Sequence, residues 1–258
     1  MGIEYVAFDP PYQSRIIELR QVQPLVDELI AELSDRRIQL VNDVFRHNVS
    51  RVSELLALEM DRRESALFGT ESALFETPVP KDDNSVQVPY TLRSTDPYLV
   101  SILRGGIVPT LAAQQIFKRR GVITLSAERQ GETYDAKQGT MAIRSSYLKP
   151  PEGTEGRFLE GSVLAAFETM LATGNTIVET YTLLCERYGT PFAFLMGAVV
   201  AAKPGIEKIV DYIPNSKVYA GAIRAELNDH AYVIEGPGDA GAHTFGPRER
   251  LLDVVRNG

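Results

Sequence analysis

The chain has almost no cysteine. Cys185 is the single thiol among 258 residues, which excludes an internal disulfide and any metal site built from cysteines. No stretch approaches the roughly 20 apolar residues needed to cross a bilayer. Met1-Gly2-Ile3-Glu4 has no basic segment leading into an apolar one, so neither a membrane span nor a signal peptide is expected, and a cytoplasmic location is. Basic charge is not in excess. The 27 Lys and Arg residues face 34 Asp and Glu, for a net charge of −7. With no Lys/Arg run, a long nucleic-acid surface is excluded, whereas a small basic pocket for phosphates is not. Internal repeats and low-complexity segments are also missing. What remains is ordinary: 44% hydrophobic and 24% charged residues suit a globular protein, and the length suffices for a full core without disulfides or structural metal.

The first third reads as helical. Ile16, Leu19, Val22, Val26, Leu29, Ile30 and Leu33 recur at steps of three and four, the period of one helix face. Pro24 can open a helix but not sit inside one, so a break is expected near Val22–Gln23. Ser34 and Asp35 are cap-like and precede a second periodic run through Ile38, Val41, Val44, Phe45, Val52, Leu55 and Leu56. These runs predict a packed helical layer or a dimer face. Thr77 to Pro89, with three prolines and adjacent aspartates, reads as a loop or a β-arm.

From Tyr98 onward the pattern changes. Short apolar runs at Tyr98–Leu103, Val122–Leu125, Val163–Phe167, Phe192–Ala201 and Lys217–Ala222 read as strands. Helical segments at Ile107–Phe117, Thr176–Arg187 and Ile206–Tyr212 alternate with them. Such alternation predicts an α/β fold with a mostly parallel central sheet flanked by helices, carrying an N-terminal helical extension and a β-arm or lid. The division expected is an extension over residues 1–70 packed on a core over 71–258, one domain overall. In such sheets ligands bind in the loops after the carboxyl ends of strands.

Three of those loops carry chemistry. In Ala166-Phe167-Glu168-Thr169-Met170-Leu171-Ala172-Thr173-Gly174-Asn175-Thr176 a strand delivers a carboxylate, a small-residue turn follows, and a helix begins. A helix N-terminus with a glycine turn and threonine hydroxyls makes an anion site, and Glu168 can accept hydrogen bonds from sugar hydroxyls. A capped helix with nothing bound fits the same residues. In Ser101-Ile102-Leu103-Arg104-Gly105-Gly106 a strand feeds an arginine into a glycine turn, where Arg104 can clamp phosphate oxygens in bidentate fashion; a plain Gly-Gly turn beside a surface arginine is the alternative. In Leu227 to Gly246, Gly236, Gly238 and Gly241 expose backbone that could read the edge of a flat heterocycle, with Tyr232 against its face. A glycine-rich surface turn would look alike. His230 and His243 flank that third loop as possible proton acceptors. His47 reads as a helix-surface residue, and Cys185 as packed rather than reactive.

Taken together these strings resemble the uracil phosphoribosyltransferase family, with its type I phosphoribosyltransferase fold. The Met-Leu-Ala-Thr-Gly core is similar to that family's loop for 5-phosphoribosyl-1-pyrophosphate (PRPP), and Ile-Leu-Arg-Gly-Gly to its pyrophosphate loop. Asn228 to Gly246 resembles its base-binding segment, and Phe45-Arg46 with Leu55-Leu56 and Glu59 its helix before the sheet. The resemblance runs from about Phe45 to Gly246, so the first forty residues and the tail from Pro247 look like additions. It implies that Arg104, Gly105, Arg129, Glu168, Leu171, Ala172, Thr173, Gly174, Asn175 and Thr176 bind PRPP. Tyr232, Val233, Gly238, Asp239 and Ala240 would meet the base, with Asp239 acting indirectly near Mg²⁺. Arg104, Arg129, Glu168 and Asp239 form the implied catalytic set. Glu128-Arg129 opens a polar stretch to about Gly156 that resembles the family's covering arm and is expected to act as a lid.

Several positions depart from the family pattern. Glu168-Thr169 stands where Asp-Pro is usual, Asn175 where a second Gly is, and Glu128 where a Tyr is. Around the base, Glu235 replaces a proline, Pro237 an apolar residue, Ala242 an aspartate and His243 a basic residue. The expected activity is Mg²⁺-dependent transfer of phosphoribosyl from PRPP to a ring nitrogen of uracil or a uracil-like heterocycle in pyrimidine salvage, releasing pyrophosphate. The same chemistry on another acceptor and a non-catalytic PRPP or nucleotide sensor are the alternatives. Partners are expected to be these small molecules and a homodimer or larger homo-oligomer, with no nucleic acid and no membrane.

Overall fold

In the computed structural model, residues 5–39, 42–76, 87–126 and 156–246 are described. A short helix α1 (Pro10–Gln13) leads into strand β1 (Ile16–Glu18) and a single 3-10 turn (Leu19–Gln21). Helices α2 (Pro24–Ser34), α3 (Arg36–Gln39), α4 (Asn42–Arg63) and α5 (Ser65–Phe68) follow. Then come β2 (Thr70–Glu76), β3 (Gln87–Arg93), β4 (Tyr98–Leu103), α6 (Ile107–Gln114), β5 (Val122–Ser126), β6 (Val163–Leu171) and α7 (Asn175–Tyr188). The last elements are β7 (Ala193–Ala202), α8 (Lys203–Tyr212), β8 (Ser216–Arg224) and α9 (Ala240–Phe245).

Six strands form one parallel sheet in the order β1-β8-β7-β6-β4-β5, and β2 and β3 pair as a separate antiparallel hairpin. The α/β reading therefore holds, with each core strand within a few residues of its expected place. β6 is longer than the apolar run suggested: it continues past Glu168 to Leu171, because Glu168, Met170 and Leu171 keep their pairing with β7. β7 is buried along its whole length, as a strand covered on both faces must be.

One correction falls in the N-terminal third. Ile16–Glu18 is a strand, not the start of a helix, and pairs in parallel with Val218–Ala220. The paired β-branched residues Ile16 and Ile17 favour extended backbone. Arg15 fixes the entry by donating to the carbonyls of Ser216 at 2.7 Å, Val210 at 3.0 Å and Ile213 at 3.1 Å. The helix begins at Pro24, at the expected break. Asp35 caps the next one by accepting from the N–H of Arg37 at 2.9 Å.

The core lies in two layers, one on each face of the sheet. On one face α2 and α4 lay Val26, Ile30, Phe45, Val49, Val52 and Leu56 against Phe167, Leu195, Val199 and Tyr219. Each such side chain contributes about 1.5–3 kcal/mol by leaving water. α4 crosses so closely that a Cβ on Gly221 would stand 2.9 Å from Val52. On the other face α7 and α8 bring Ile177, Tyr181, Leu184, Ile206 and Ile209 onto Val100, Phe194, Met196 and Val218. The β2–β3 hairpin stands apart from both layers and leaves Leu74, Phe75 and Tyr90 exposed. Residues 77–86, within the expected loop or β-arm, lie outside the described residues, as do Glu128, Arg129 and most of the expected lid.

Candidate functional site

The carboxyl ends of β4, β6 and β8 open on one edge of the sheet, β4 beside β6 and β8 one strand beyond across β7, and the three loops chosen from sequence follow them. The β6 turn is built by glycine. Gly174 adopts φ +77, the left-handed region, as the residue that caps α7, a conformation other L-residues rarely take. It also touches the first turn of α8. A Cβ on Gly174 would lie 2.8 Å from the carbonyl oxygen of Gly205, and a Cβ on Gly205 would lie 2.3 Å from that of Ala172. The turn 172–174 thus rests directly on α8 backbone, with no side chain between. Thr173 Oγ1 accepts from the N–H of Asn175 at 3.4 Å. α7 runs for 14 residues from there, so its dipole points its positive end at the turn.

The β4 turn is joined to the β6 strand. Thr169, almost wholly buried, donates its hydroxyl to the carbonyl of Gly105 at 2.8 Å. The carboxylate of Glu168 lies across both glycines: a Cβ on Gly105 would stand 2.7 Å from Oε2, and one on Gly106 2.9 Å from Oε1. At Gly106 a Cβ would also stand 2.9 Å from the backbone nitrogen and oxygen of Ile102, so that position has no room for a side chain. Although part of Glu168 remains open to solvent, the protein around the carboxyl raises its pKa well above the usual carboxylate range by desolvation. A backbone hydrogen bond from Thr169 acts in the opposite sense. The Leu103–Arg104 peptide is cis. Arg104 reaches toward the third loop, its guanidinium carbon 6.0 Å from the Phe245 ring centre and its Nη2 3.6 Å from where a Gly241 Cβ would be.

That third loop is held by side chains. Gln39 Nε2 donates to the carbonyl of Pro237 at 3.1 Å, and Arg46 Nη1 to that of Thr244 at 2.7 Å. The ring of Phe45 lies 5.4 Å from that of His243. Arg224 Nε donates to the carbonyl of Glu235 at 3.2 Å. Within the loop, Asn228 Oδ1 accepts from the N–H groups of His230 and Tyr232, both at 3.0 Å. Asp239 caps α9 by accepting from the N–H of Ala242 at 3.0 Å. Ala231 and Glu235 both adopt φ +58.

Among the expected site residues, the structure brings Arg104, Gly105, Glu168, Thr173, Gly174, Asn175 and Thr176 to the β4 and β6 turns. The side chains of Leu171 and Val233 point into the core, so only their backbone faces the site. Tyr232 is exposed, Ala240 is buried as the first residue of α9, and Gly238 and Asp239 lead into that helix. His230 and His47 are exposed. Cys185 is half-buried against the α7–α8 layer, where burial pushes its thiol up. Arg129 lies outside the described residues.

Sequence reasoning passed over Gly205, Gln39 and Arg224, and met Thr169 only as a departure from the family's proline. Of the three, only Gly205 left a signal: a glycine in the first turn of a helix costs about 1 kcal/mol against alanine, so its presence marks close backbone contact. Among the described residues no group of three or more His, Cys, Asp or Glu could hold a metal ion. No helix among them is long and apolar enough to cross a membrane.

Comparison with known proteins agrees with this geometry. The family model described as Uracil phosphoribosyltransferase matches residues 21–247. A curated uracil phosphoribosyltransferase from Thermus thermophilus is 31% identical over 227 residues, covering 87% of this chain and 96% of the relative. One from Pyrococcus furiosus is 27% identical over 238 residues, covering 90% of each. A solved structure of a protein from Aquifex aeolicus superposes with a TM-score of 0.71 at 21% identity, covering 90% of this chain and 98% of that one, and so shares the fold.

Proposed function

The chain belongs to the uracil phosphoribosyltransferase family, and from that premise we propose that it transfers phosphoribosyl from PRPP to a ring nitrogen of uracil, releasing pyrophosphate. The observation that carries this reading is the joined pair of phosphate turns. Gly174 sits on Gly205, Thr169 ties β6 to Gly105, and Glu168 lies between them. The α7 end with Thr173 and Thr176 takes the 5′-phosphate, the β4 turn with Arg104 takes the pyrophosphate, and Glu168 between them takes the ribose hydroxyls. Anchoring both ends of PRPP places C1 for attack, which supplies rate through positioning.

The glycosidic C1–O bond breaks with its electron pair leaving on pyrophosphate, and the acceptor nitrogen forms the new bond to C1 as its N–H bond breaks and the proton passes to the departing pyrophosphate or to water. Arg104, joined by Arg129 from the covering segment, stabilises the charge that grows on the leaving group. Glu168 faces the positive charge growing on the ribose. The backbone of Tyr232, Val233, Gly238 and Ala240 reads the edge of the base.

The donor set fits a magnesium ion that arrives on substrate, because Mg²⁺ binds through phosphates and waters with few protein ligands and no acidic cage exists among the described residues. Asp239, with one oxygen committed to capping α9, would hold it through water. When bound, Mg²⁺ supplies charge neutralisation on the pyrophosphate.

A second reading keeps the chemistry and changes the acceptor. Glu235 stands at φ +58, which the proline usual in the family cannot adopt. The turn beyond Tyr232–Ile234 is therefore built differently. Turnover against uracil and a panel of heterocycles separates the two readings. Titration calorimetry with PRPP and Mg²⁺ tests the reading they share. Micromolar binding that is lost in Thr173→Ala supports it, whereas no binding by folded wild-type protein overturns it.

A further inference from the structure

α8 is the floor of the phosphate turn, and it brings more than a glycine. Lys208 follows Gly205 by three positions, so both face the same way from the helix. Gly205 meets the backbone of the turn, and Lys208 donates from Nζ to the side-chain oxygen of Asn175. Asn175 is the first residue of α7 and is only 6% exposed. A buried amide at that place needs a partner, and α8 delivers one.

The charge is the informative part. α7 turns its positive end toward this contact, and a cation near a helix N-terminus is mildly unfavourable. Placing an ammonium there makes electrostatic sense when an anion shares the space. Lys203 and Glu207 on the same helix pair with each other, and the ring of Tyr212 lies 5.9 Å from Lys208 Nζ.

We propose that Lys208 is a positioning residue for the 5′-phosphate, acting through Asn175 to fix the first turn of α7 and adding a positive charge beside it. The proposal rests on the PRPP reading above. In the apo protein the lysine satisfies the buried amide, and in the complex its charge also favours the anion. Removing it should therefore weaken binding at the 5′ end specifically, which a purely structural lysine would not do. The effect is confined to the 5′ end, so PRPP and ribose 5-phosphate respond alike while inorganic pyrophosphate does not.

The test is calorimetry with these three ligands, with Mg²⁺ present, on wild type, Lys208→Met, Lys208→Arg, Asn175→Gly and the Lys208→Met/Asn175→Gly double variant, together with melting curves and kinetics. Lys208→Met is expected to bind PRPP and ribose 5-phosphate about tenfold more weakly, the size of a lost charged hydrogen bond. KM should rise and kcat should hold, and any fall in apo melting temperature should be absent in the Asn175→Gly background, where no amide loses its partner. Lys208→Arg should recover most of the affinity. In the Asn175→Gly background, where no side chain needs holding, the Lys208→Met change should cost less. Equal costs in both backgrounds, an unchanged affinity, or a loss extending to pyrophosphate would overturn the proposal while leaving the PRPP reading in place. A folded wild type that binds neither PRPP nor ribose 5-phosphate would take down both.

Discussion

The two halves of the site are held in different ways. On the proposed phosphate side, backbone rests on backbone, Gly174 on Gly205 and Gly205 on Ala172, at distances that exclude a Cβ, and the Glu168 carboxylate lies over Gly105 and Gly106. On the acceptor side, the loop from Leu227 to Gly246 is propped by side chains reaching from elsewhere, namely Gln39, Arg46 and Arg224. Backbone contact leaves few sequence solutions, and propping leaves many. Departures from the family pattern fall on both sides: the phosphate turns keep the glycines at 106 and 174 but differ at 168, 169 and 175, and 235, 237, 242 and 243 differ in the third loop.

The sharpest way to break the comparison is Gly205→Ala. Its Cβ would meet the Ala172 carbonyl at 2.3 Å, backbone that cannot swing aside. Displacing a turn by about 1 Å can cost on the order of 100-fold, so calorimetry should show PRPP affinity falling by about that factor. Affinity close to wild type would mean that the turn is not set by α8.

Glu168→Gln comes next and reads two properties at once. Losing a charged acceptor for the ribose hydroxyls should lower kcat/KM by about 10- to 100-fold. The stability effect has the opposite sign. Burial holds the folded pKa above the ordinary 4.5, so the folded state binds the proton more tightly than the unfolded state. Stability then falls as pH rises from the ordinary value through the raised one. Glutamine does not titrate, so the variant should melt no lower than wild type at neutral pH, with any advantage closing below pH 4.5. A variant that melts lower at neutral pH would show that the carboxylate is needed for the fold.

Arg46→Ala probes the propped side with a smaller effect. Without the 2.7 Å bond to Thr244, KM for the acceptor should rise by about tenfold, and PRPP affinity should hold. An equal loss of PRPP affinity would show that the two halves are one unit.

The same contrast decides what could be read from the sequence. The strand ends and glycine turns at Arg104–Gly106 and Thr173–Thr176 were legible, because a local string fixes a local turn. The strand at Ile16–Glu18 was not. Its three residues carry too short a pattern to outweigh the helical period around them, and its pairing with Val218–Ala220 is set some 200 residues away. Gly205 and Gln39 were missed for the same reason, since each acts on a loop distant in sequence. Val233 was expected on the base side from the resemblance alone, and nothing in its local string shows that its side chain turns into the core.

The account's central claim is a reaction, and one assay tests it most directly. Protein, Mg²⁺, PRPP and uracil are incubated together, with uridine 5′-monophosphate and pyrophosphate both quantified over time. The account predicts that the two products form in equal amounts, and only when uracil and PRPP are both present. Pyrophosphate released without nucleotide, or no turnover by folded protein with uracil or any heterocycle of the panel, would contradict it.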